Sequence, residues 1–384
     1  MTDAARVVLF GASGYTGRLT AVAMATAGLR PLLAGRSRER LEEAAGDVVR
    51  TGRLVGGIAI ADVDDPESVR ELVREGDVLV STVGPFVRWG TPALEAAITG
   101  RAAAYLDSTG EPPFVREVFT TWGPRAQAAG VPLVTAFGYD YVPGTLAAAL
   151  AVRDAVETGV PPTRVDVGYF VRTRSGGGDV RSFGVSAGTA ASAAGIALAP
   201  SFAWSRGALV TERPGRHVRR FDVRGSRYDG MTIGSSEHFT VPRLSPSITD
   251  VRVFLGWAGP RTSLVAKGAA VLDAVGRVPG ARAGLGALAA KAMPGSGGGP
   301  DETQRAGSRT LAVAETFDGV GALLSRAVVD GPSPYDLTAS LLAWGAQQAL
   351  AGRVLGSGAL GPVDAFGLDA FVSGCASLGL QRVE

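Results

Sequence analysis

Three glycines near the amino terminus are spaced so that they could bind a phosphate group. Gly11, Gly14 and Gly17 stand in the stretch VVLFGASGYTGRL, directly after four apolar residues. In a dinucleotide-binding turn the first glycine permits a sharp bend, the second lets the backbone approach a pyrophosphate, and the third brings the helix close to the sheet. The N–H groups of Gly14, Tyr15 and Thr16 would then point at the phosphates. The pattern predicts a dinucleotide site, and the alternative is a purely structural turn.

The residues after the second predicted strand indicate which dinucleotide binds. The chain reads AGRSRERL there, so Arg36 and Ser37 stand where an NAD site carries an acidic residue, and nothing acidic precedes Glu39. An arginine at this position fits a 2′-phosphate, since a hydrogen bond to a charged group is worth roughly 1.5–3 kcal/mol. We therefore predict NADP(H) as the cofactor. The alternative is that Arg36 is only a solvated arginine at the start of a helix.

Further strand ends belong to the same predicted site, because ligands of a parallel sheet bind at the carboxyl ends of its strands. In STVGPF (81–86), a close turn is predicted at Gly84 and Pro85, and YLDSTGEPP (105–113) brings Asp107 and Thr109 to the same edge. For these last two residues helix capping is the alternative to a site role. The predicted cofactor-binding residues are Gly11, Ser13, Gly14, Tyr15, Thr16, Gly17, Arg36, Ser37, Asp62, Val83, Gly84, Pro85, Asp107 and Thr109.

Hydride transfer also needs a proton or a positive field beside the acceptor, and the turn GYDYVPG (138–144) offers acidic groups for it. The predicted catalytic residues are Tyr139, Asp140 and Tyr141, with Asp107 as a further candidate acid. A tyrosine can donate to a developing enolate, and a buried carboxylic acid can do so if its pKa is raised. As alternatives, Asp140 would cap the following helix, and the two tyrosines would be core or pocket-wall residues.

The elements that must position these residues follow from the pattern of the first 140 residues. Short apolar runs alternate with helical stretches such as RERLEEAAGDVVR and DPESVRELVRE, and continuous apolar runs suit strands covered on both faces. Repeated βα units at this spacing predict an α/β fold with a doubly wound parallel Rossmann sheet. The predicted strands lie in 6–10, 29–35, 54–62, 77–84, 103–109 and 131–138.

The pattern changes after residue 144, where long strand-like runs predict a second α+β domain with a mixed or antiparallel sheet. The runs lie at 163–173, 216–234 and 248–258. Two Asp-Gly pairs, at 229–230 and 318–319, predict hairpin turns. The predicted boundaries are 1–145 for the dinucleotide-binding domain, 335–384 for the segment that completes it, and 146–334 for a substrate or dimerisation domain.

Taken together, these motifs resemble those of the saccharopine dehydrogenase-like oxidoreductases, which include bacterial trans-acting enoyl reductases. The resemblance is carried by GASGYTGRL, AGRSRERL, STVGPF, YLDSTGE and GYDYVPGTL, with weaker similarity in SAGTAAS (186–192) and DGPSPYDLTASLL (330–342). It implies a Rossmann domain completed by C-terminal segments and NADPH-dependent reduction of a C=C (enoyl) or C=N (imine) bond in a secondary-metabolite or lipid intermediate. The alternative functions are a non-catalytic NADP-binding sensor and a scaffold protein.

Composition restricts the expected partners. The 38 basic and 36 acidic residues give a net charge of +2, which provides no broad positive potential to attract a nucleic acid. One cysteine and two distant histidines predict neither a disulfide nor a metal site. With no signal peptide or membrane span in the pattern, we expect a cytoplasmic protein acting on a small-molecule or carrier-bound substrate. Homodimer formation stays open, as does the role of the arginine-rich run 211–227, which could bind an anionic group or be a solvated strand face.

Overall fold

The computed structural model describes residues 5–173, 201–256, 259–275 and 298–384 of the chain. The weaker motif at 186–192 therefore lies outside the described residues, as does the end of the predicted run 248–258. The chain folds into two units. The first comprises Met1–Gly110, Phe114–Asp140 and Tyr335–Gly374, and the second comprises Glu111–Pro113, Tyr141–Pro334 and Cys375–Glu384.

In the described ranges, strands and helices alternate in the first unit, whereas strands dominate the second. The strands are β1 (Val7–Phe10), β2 (Leu32–Gly35), β3 (Gly57–Ile60), β4 (Val78–Ser81), β5 (Ala104–Asp107), β6 (Pro132–Val134), β7 (Arg164–Thr173), β8 (Ser201–Ser205), β9 (Ala208–Glu212), β10 (Val218–Val223), β11 (Ser226–Thr232), β12 (Asp250–Leu255), β13 (Ser308–Phe317), β14 (Leu323–Gly331), β15 (Gly358–Ala359) and β16 (Gln381–Arg382). The α-helices are Tyr15–Thr26, Arg38–Arg50, Pro66–Arg70, Phe86–Trp89, Thr91–Thr99, Pro112–Glu117, Gly123–Ala129, Val142–Glu157, Glu237–Thr240, Thr262–Val275, Glu302–Ala306, Pro334–Leu350, Pro362–Phe366 and Leu368–Ser377.

The first unit is built on a parallel sheet in the order β15–β6–β5–β4–β1–β2–β3. All six predicted strands form, and every residue of β1, β4 and β5 is buried, as expected for strands covered on both faces. The strand order reverses at β1, which lies between β2 and β4. Because the strands are parallel, their carboxyl ends meet at one edge, where a doubly wound sheet binds its ligand. The predicted Rossmann architecture is confirmed.

The seventh strand of this sheet comes from the C-terminal part of the chain. The two residues of β15 pair in parallel with β6, so the segment Tyr335–Gly374 completes the first unit. The predicted completing segment, 335–384, is too long, because β16 pairs with β14 in the second unit. The N-terminal part of the first unit ends at Asp140 rather than at residue 145, since the helix Val142–Glu157 belongs to the second unit.

The second unit contains a mixed sheet in the order β10–β11–β12–β7–β13–β14–β16, with β8 paired to β12 and β9 paired to β8. β12 runs parallel to β7, and the other neighbouring pairs are antiparallel. The helix Val142–Glu157 packs on β7, β13 and β14, where the Ser325 hydroxyl donates to the Ala151 carbonyl over 2.6 Å. The predicted second α+β fold is confirmed.

One of the two predicted hairpin turns is correct. Asp318 follows β13 directly, and its N–H donates to the Ala322 carbonyl over 3.0 Å. The turn predicted at Asp229–Gly230 is wrong, because both residues lie inside β11. Gly230 serves packing instead, since a Cβ there would be 2.9 Å from the Cβ of Phe254. The chain turns at 224–225, where both residues have positive φ.

Candidate cofactor and active site

Close contacts require glycine at the first and third positions of the turn, and the second closes the turn through a hydrogen bond. Gly11 has φ +87°, and a Cβ on it would lie 2.8 Å from Thr82 Oγ1 and from Val83 Cγ2. A Cβ on Gly17 would lie 2.1 Å from the Gly11 carbonyl oxygen. The Gly14 N–H donates to that same oxygen over 3.0 Å, which closes the turn. The backbone therefore bends and approaches itself as a dinucleotide-binding turn requires.

The helix that follows, Tyr15–Thr26, begins with an electropositive end. Gly14 is its N-cap, no side chain caps it, and its first turn contains no acidic residue. The first N–H groups of a helix lack acceptors within the helix, and the helix dipole favours an anion beside them. The turn and the helix start thus fit the diphosphate of a dinucleotide.

The predicted residues around this turn are accessible for the most part. Arg36 is exposed, whereas Gly17 is buried against the turn. The half-buried ones are Gly11, Ser13, Gly14, Tyr15, Thr16, Ser37, Asp62, Val83, Gly84 and Pro85. They follow β1, β2, β3 and β4, so the sheet brings them to its carboxyl edge. Their contact with a cofactor stays a prediction.

A second arginine that the sequence analysis missed lies beside the glycine turn. The Arg40 guanidinium donates to the Ser13 carbonyl oxygen over 3.3 Å, four residues beyond Arg36 on the chain. The Ser37 hydroxyl accepts from the Arg40 N–H at 3.4 Å and so caps the helix Arg38–Arg50. Arg36 and Arg40 thus both follow β2, the strand after which the 2′-phosphate is predicted to bind. Arg40 lies in the same run, AGRSRERL, as Arg36, and this is the sequence signal that could have revealed it.

The Asp107 carboxyl is hydrogen-bonded inside the protein. Its side chain is fully buried and accepts hydrogen bonds from the Thr109 and Ala136 N–H groups, both at 2.9 Å, and from the Thr135 hydroxyl at 2.8 Å. Burial raises the pKa of the Asp107 carboxyl to about 6, although these hydrogen bonds lower it. Thr109 is fully buried as well. This arrangement joins the end of β5 to the turn after β6, which favours a structural role over contact with the cofactor.

Asp140 differs from Asp107 because no hydrogen bond holds its half-buried carboxyl within the described residues. The carboxyl lies close to Gly110, where a Cβ would be 2.6 Å from Oδ2. Burial alone raises the pKa of Asp140 to about 7. The N-cap of the helix Val142–Glu157 is Tyr141, without a side-chain cap, so Asp140 does not cap that helix. A carboxyl with this pKa can act as a general acid near neutral pH.

The two predicted catalytic tyrosines are largely buried. Tyr141 is 1% exposed, and its hydroxyl donates to the Gly234 carbonyl over 3.4 Å inside the second unit. Tyr139 is 4% exposed, and its backbone N–H donates to the Thr338 hydroxyl over 2.9 Å. Burial of this degree favours the core alternative for Tyr141. A catalytic role for either tyrosine stays a prediction.

The arginine-rich run 211–227 forms ion pairs within the second unit. Arg219 pairs with Asp166 and Glu315, while Arg220 pairs with Asp229 across the hairpin. These carboxylates already pair with two of the six guanidinium groups in the run. The contacts favour a structural role for Arg219 and Arg220, and anion binding by the rest of the run stays a prediction.

Most of the N-terminal part of the first unit is similar to a known family of domains. Residues 7–134 match the family model described as saccharopine dehydrogenase NADP binding domain. This segment is similar to the NADP-binding domain of saccharopine dehydrogenases. The predicted resemblance and the predicted cofactor class, NADP(H), are therefore confirmed. The glycine turn and both arginines lie inside the matched segment. The tight turn and the uncapped helix start fit the diphosphate of this cofactor.

The similar proteins include named reductases. Trans-acting enoyl reductases of Mycobacterium ulcerans and Mycobacterium tuberculosis are 33% and 32% identical to this chain over 193 and 198 residues. Each match covers 48% of this chain and 45% of the relative, so the shared part spans less than half of either protein. The apo form of saccharopine dehydrogenase (L-Glu forming) from Saccharomyces cerevisiae has a TM-score of 0.62 at 14% identity, covering 98% of this chain and 99% of that one. At this low identity the likeness shows only that the two chains share a fold.

Among the helices of the described ranges, none is long and apolar enough to cross a bilayer.

Proposed function

We propose that this protein is an NADPH-dependent reductase that transfers a hydride to the C=C bond of an enoyl group in a lipid or secondary-metabolite intermediate. Reduction of a C=N bond is the alternative chemistry for the same site. The observation that carries the proposal is the place of the Asp140 carboxyl, which lies beside Gly110 and follows β6 of the same parallel sheet whose β1 leads into the glycine turn. Burial at this place raises the pKa of the carboxyl. The relatives named trans-acting enoyl reductases support the choice of an enoyl acceptor.

The chain's own residues would hold the cofactor and provide the proton. The N–H groups at the start of the helix Tyr15–Thr26 would bind the diphosphate, and the guanidinium groups of Arg36 and Arg40 would bind the 2′-phosphate. The Gly14 N–H, which was also predicted to face the phosphates, instead donates to the Gly11 carbonyl. The bound cofactor supplies the hydride. Hydride addition leaves negative charge on the acceptor, and a protonated carboxyl beside it can neutralise that charge.

Asp140 is the residue that we assign to this proton transfer. Its pKa of about 7 keeps both protonation states populated near neutral pH, so it can donate a proton and recover one from water. Asp107 is less suited, because its carboxyl is fully buried among backbone and hydroxyl donors. The proposal therefore depends on one carboxyl, and its removal tests the proposal.

Stopped-flow measurement of NADPH oxidation against a panel of enoyl thioesters and cyclic imines tests the activity. We expect turnover with at least one enoyl thioester, and a loss of about 10²-fold or more in Asp140→Asn, the range typical of a missing general acid. Asp64→Asn, which changes an exposed carboxyl after β3, is the control. Tight NADPH binding without oxidation by any acceptor would instead indicate a nucleotide sensor, and full turnover in Asp140→Asn would exclude Asp140 as the acid.

A further inference from the structure

The turn that carries Asp140 is attached to a helix nearly 200 residues further along the chain. The Tyr139 N–H donates to the Thr338 hydroxyl over 2.9 Å, and Thr338 lies in the helix Pro334–Leu350. Gly138 allows this approach, because a Cβ there would be 2.9 Å from Thr338 Oγ1. A buried backbone N–H needs an acceptor, and at Tyr139 a side chain provides it.

We propose that Thr338 is a positioning residue for Asp140: its hydroxyl fixes the backbone one residue before the carboxyl that donates the proton. This inference rests on the proposed function of Asp140. Thr338 itself is not assigned contact with the acceptor. It acts through the peptide that joins Tyr139 to Asp140.

The same helix also contacts the cofactor-binding helix. Tyr335 lies three residues before Thr338, and residues at this spacing share one face of a helix. The Tyr335 ring packs edge-on against Tyr15 with the ring centroids 5.0 Å apart. Tyr15 is the first residue of the helix Tyr15–Thr26, whose start we assign to the diphosphate. One turn of this helix therefore contacts both the turn that carries Asp140 and the helix Tyr15–Thr26. These contacts fix the position of the acid relative to the predicted cofactor site.

The rest of the turn shows why one further hydrogen bond matters. Ala136 has φ +56°, a conformation unusual for a residue with a side chain, and Asp107 holds it through the Ala136 N–H. Between this strained residue and Asp140, the Thr338 hydroxyl holds the N–H of Tyr139. Loss of the hydroxyl would free the end of the turn that carries the acid.

Three variants separate positioning from simple packing. Thr338→Val keeps the shape and removes the acceptor, Thr338→Ser keeps the acceptor, and Ser340→Ala removes a half-buried hydroxyl from the same helix as a control. The readouts are amide exchange of Tyr139, ¹³C NMR titration of the Asp140 carboxyl assigned with Asp140→Asn, and kcat and KM. The first two need no substrate, so they remain decisive even if no acceptor is turned over and the proposed function fails.

We expect Thr338→Val to speed exchange of the Tyr139 amide and to lower kcat, each by about tenfold, with KM and NADPH affinity little changed. The Asp140 titration should move toward the ordinary range of a carboxyl, because a looser turn admits water. Thr338→Ser and Ser340→Ala should behave like the unmodified protein.

Unchanged exchange and titration in Thr338→Val would overturn the inference, as would a Thr338→Ser variant that matches Thr338→Val. If Thr338→Val does not fold, exchange in the unmodified protein decides the question. A protected Tyr139 amide supports the bond, and exchange at the rate of an open turn contradicts it.

Discussion

Gly110 lies directly against the carboxyl of Asp140, so that a Cβ on Gly110 would be only 2.6 Å from Oδ2. Real Cβ atoms do not approach an oxygen this closely, and the carboxyl group would have to move. Because Gly110 has no side chain, the Asp140 carboxyl can lie at its observed position. The two residues come from separate turns, after β5 and after β6, which meet at the carboxyl edge of the parallel sheet.

Replacing Gly110 with alanine should consequently impair catalysis more than cofactor binding. We expect kcat to fall by about tenfold to a hundredfold, because small displacements of a catalytic group are costly, while the dissociation constant of NADPH changes little. Steady-state kinetics and calorimetric titration measure the two quantities. Gly46→Ala is the matched control, since its nearest neighbour would be Arg50 Nη1 at 3.7 Å. An unchanged kcat in Gly110→Ala would contradict the proposed place of Asp140 in the reaction.

The two arginines that follow β2 should determine the preference for the phosphorylated cofactor. Arg36→Asp should remove the preference for NADPH over NADH, because it replaces a cation with a carboxylate that accepts from a ribose hydroxyl. Arg40→Gln should weaken NADPH binding by about tenfold and leave NADH binding unchanged. Arg30→Gln, an exposed arginine before β2, should have no effect. If the preference survives in Arg36→Asp, Arg36 does not bind the 2′-phosphate.

Turnover should depend on pH through Asp140. A general acid works in its protonated form, so kcat should fall as the pH rises through about 7, the pKa to which burial raises this carboxyl. Asp140→Asn has no proton to lose, and its residual rate should not show this step. The measurement is kcat at saturating NADPH and acceptor across the pH range. The same descending limb in both proteins would assign the titration to another group.

The raised pKa of Asp140 also predicts a pH-dependent effect on stability. Raising the pKa from 3.8 to about 7 means that the folded state binds the proton more tightly than the unfolded state, so ionisation destabilises the fold as the pH rises between these values. Each pKa unit corresponds to about 1.4 kcal/mol, and partial contact with water reduces the total.

We therefore expect Asp140→Asn to raise the free energy of unfolding by about 2 kcal/mol at pH 8 and to leave it nearly unchanged near pH 4. Denaturant unfolding at the two pH values measures the difference. A gain of the same size at both pH values would show that the effect does not come from ionisation.

The fold was largely predictable because the strands of a doubly wound sheet leave continuous apolar runs. All six predicted strands of the first unit form, and RERLEEAAGDVVR forms a helix with the predicted bounds, Arg38–Arg50. β15 was not predicted, since two residues are too few for a periodic signal. The misplaced hairpin turn has a similar cause. Gly230 is required by Phe254 on a neighbouring strand, and this packing constraint is not visible in the local sequence.

The site was predictable where its residues are local in sequence. Gly11, Gly14 and Gly17 form one turn, and Arg36 follows β2 at the position that the fold prescribes. Thr338 was not predictable, because its contact with Tyr139 spans 199 positions along the chain. For Asp107 the sequence left open a role in the site or a structural role as a helix cap. The Asp107 carboxyl accepts three hydrogen bonds inside the protein, which favour a structural role over contact with the cofactor.

Calorimetric titration of the protein with NADPH and with NADH tests the central claim most directly, because it needs no knowledge of the acceptor. The account predicts that both reduced cofactors bind and that NADPH binds at least about tenfold more tightly, from the charge-assisted hydrogen bonds of Arg36 and Arg40 to its extra phosphate. Absence of heat with both cofactors would contradict the assignment of the glycine turn as a dinucleotide site and, with it, the proposed reductase activity.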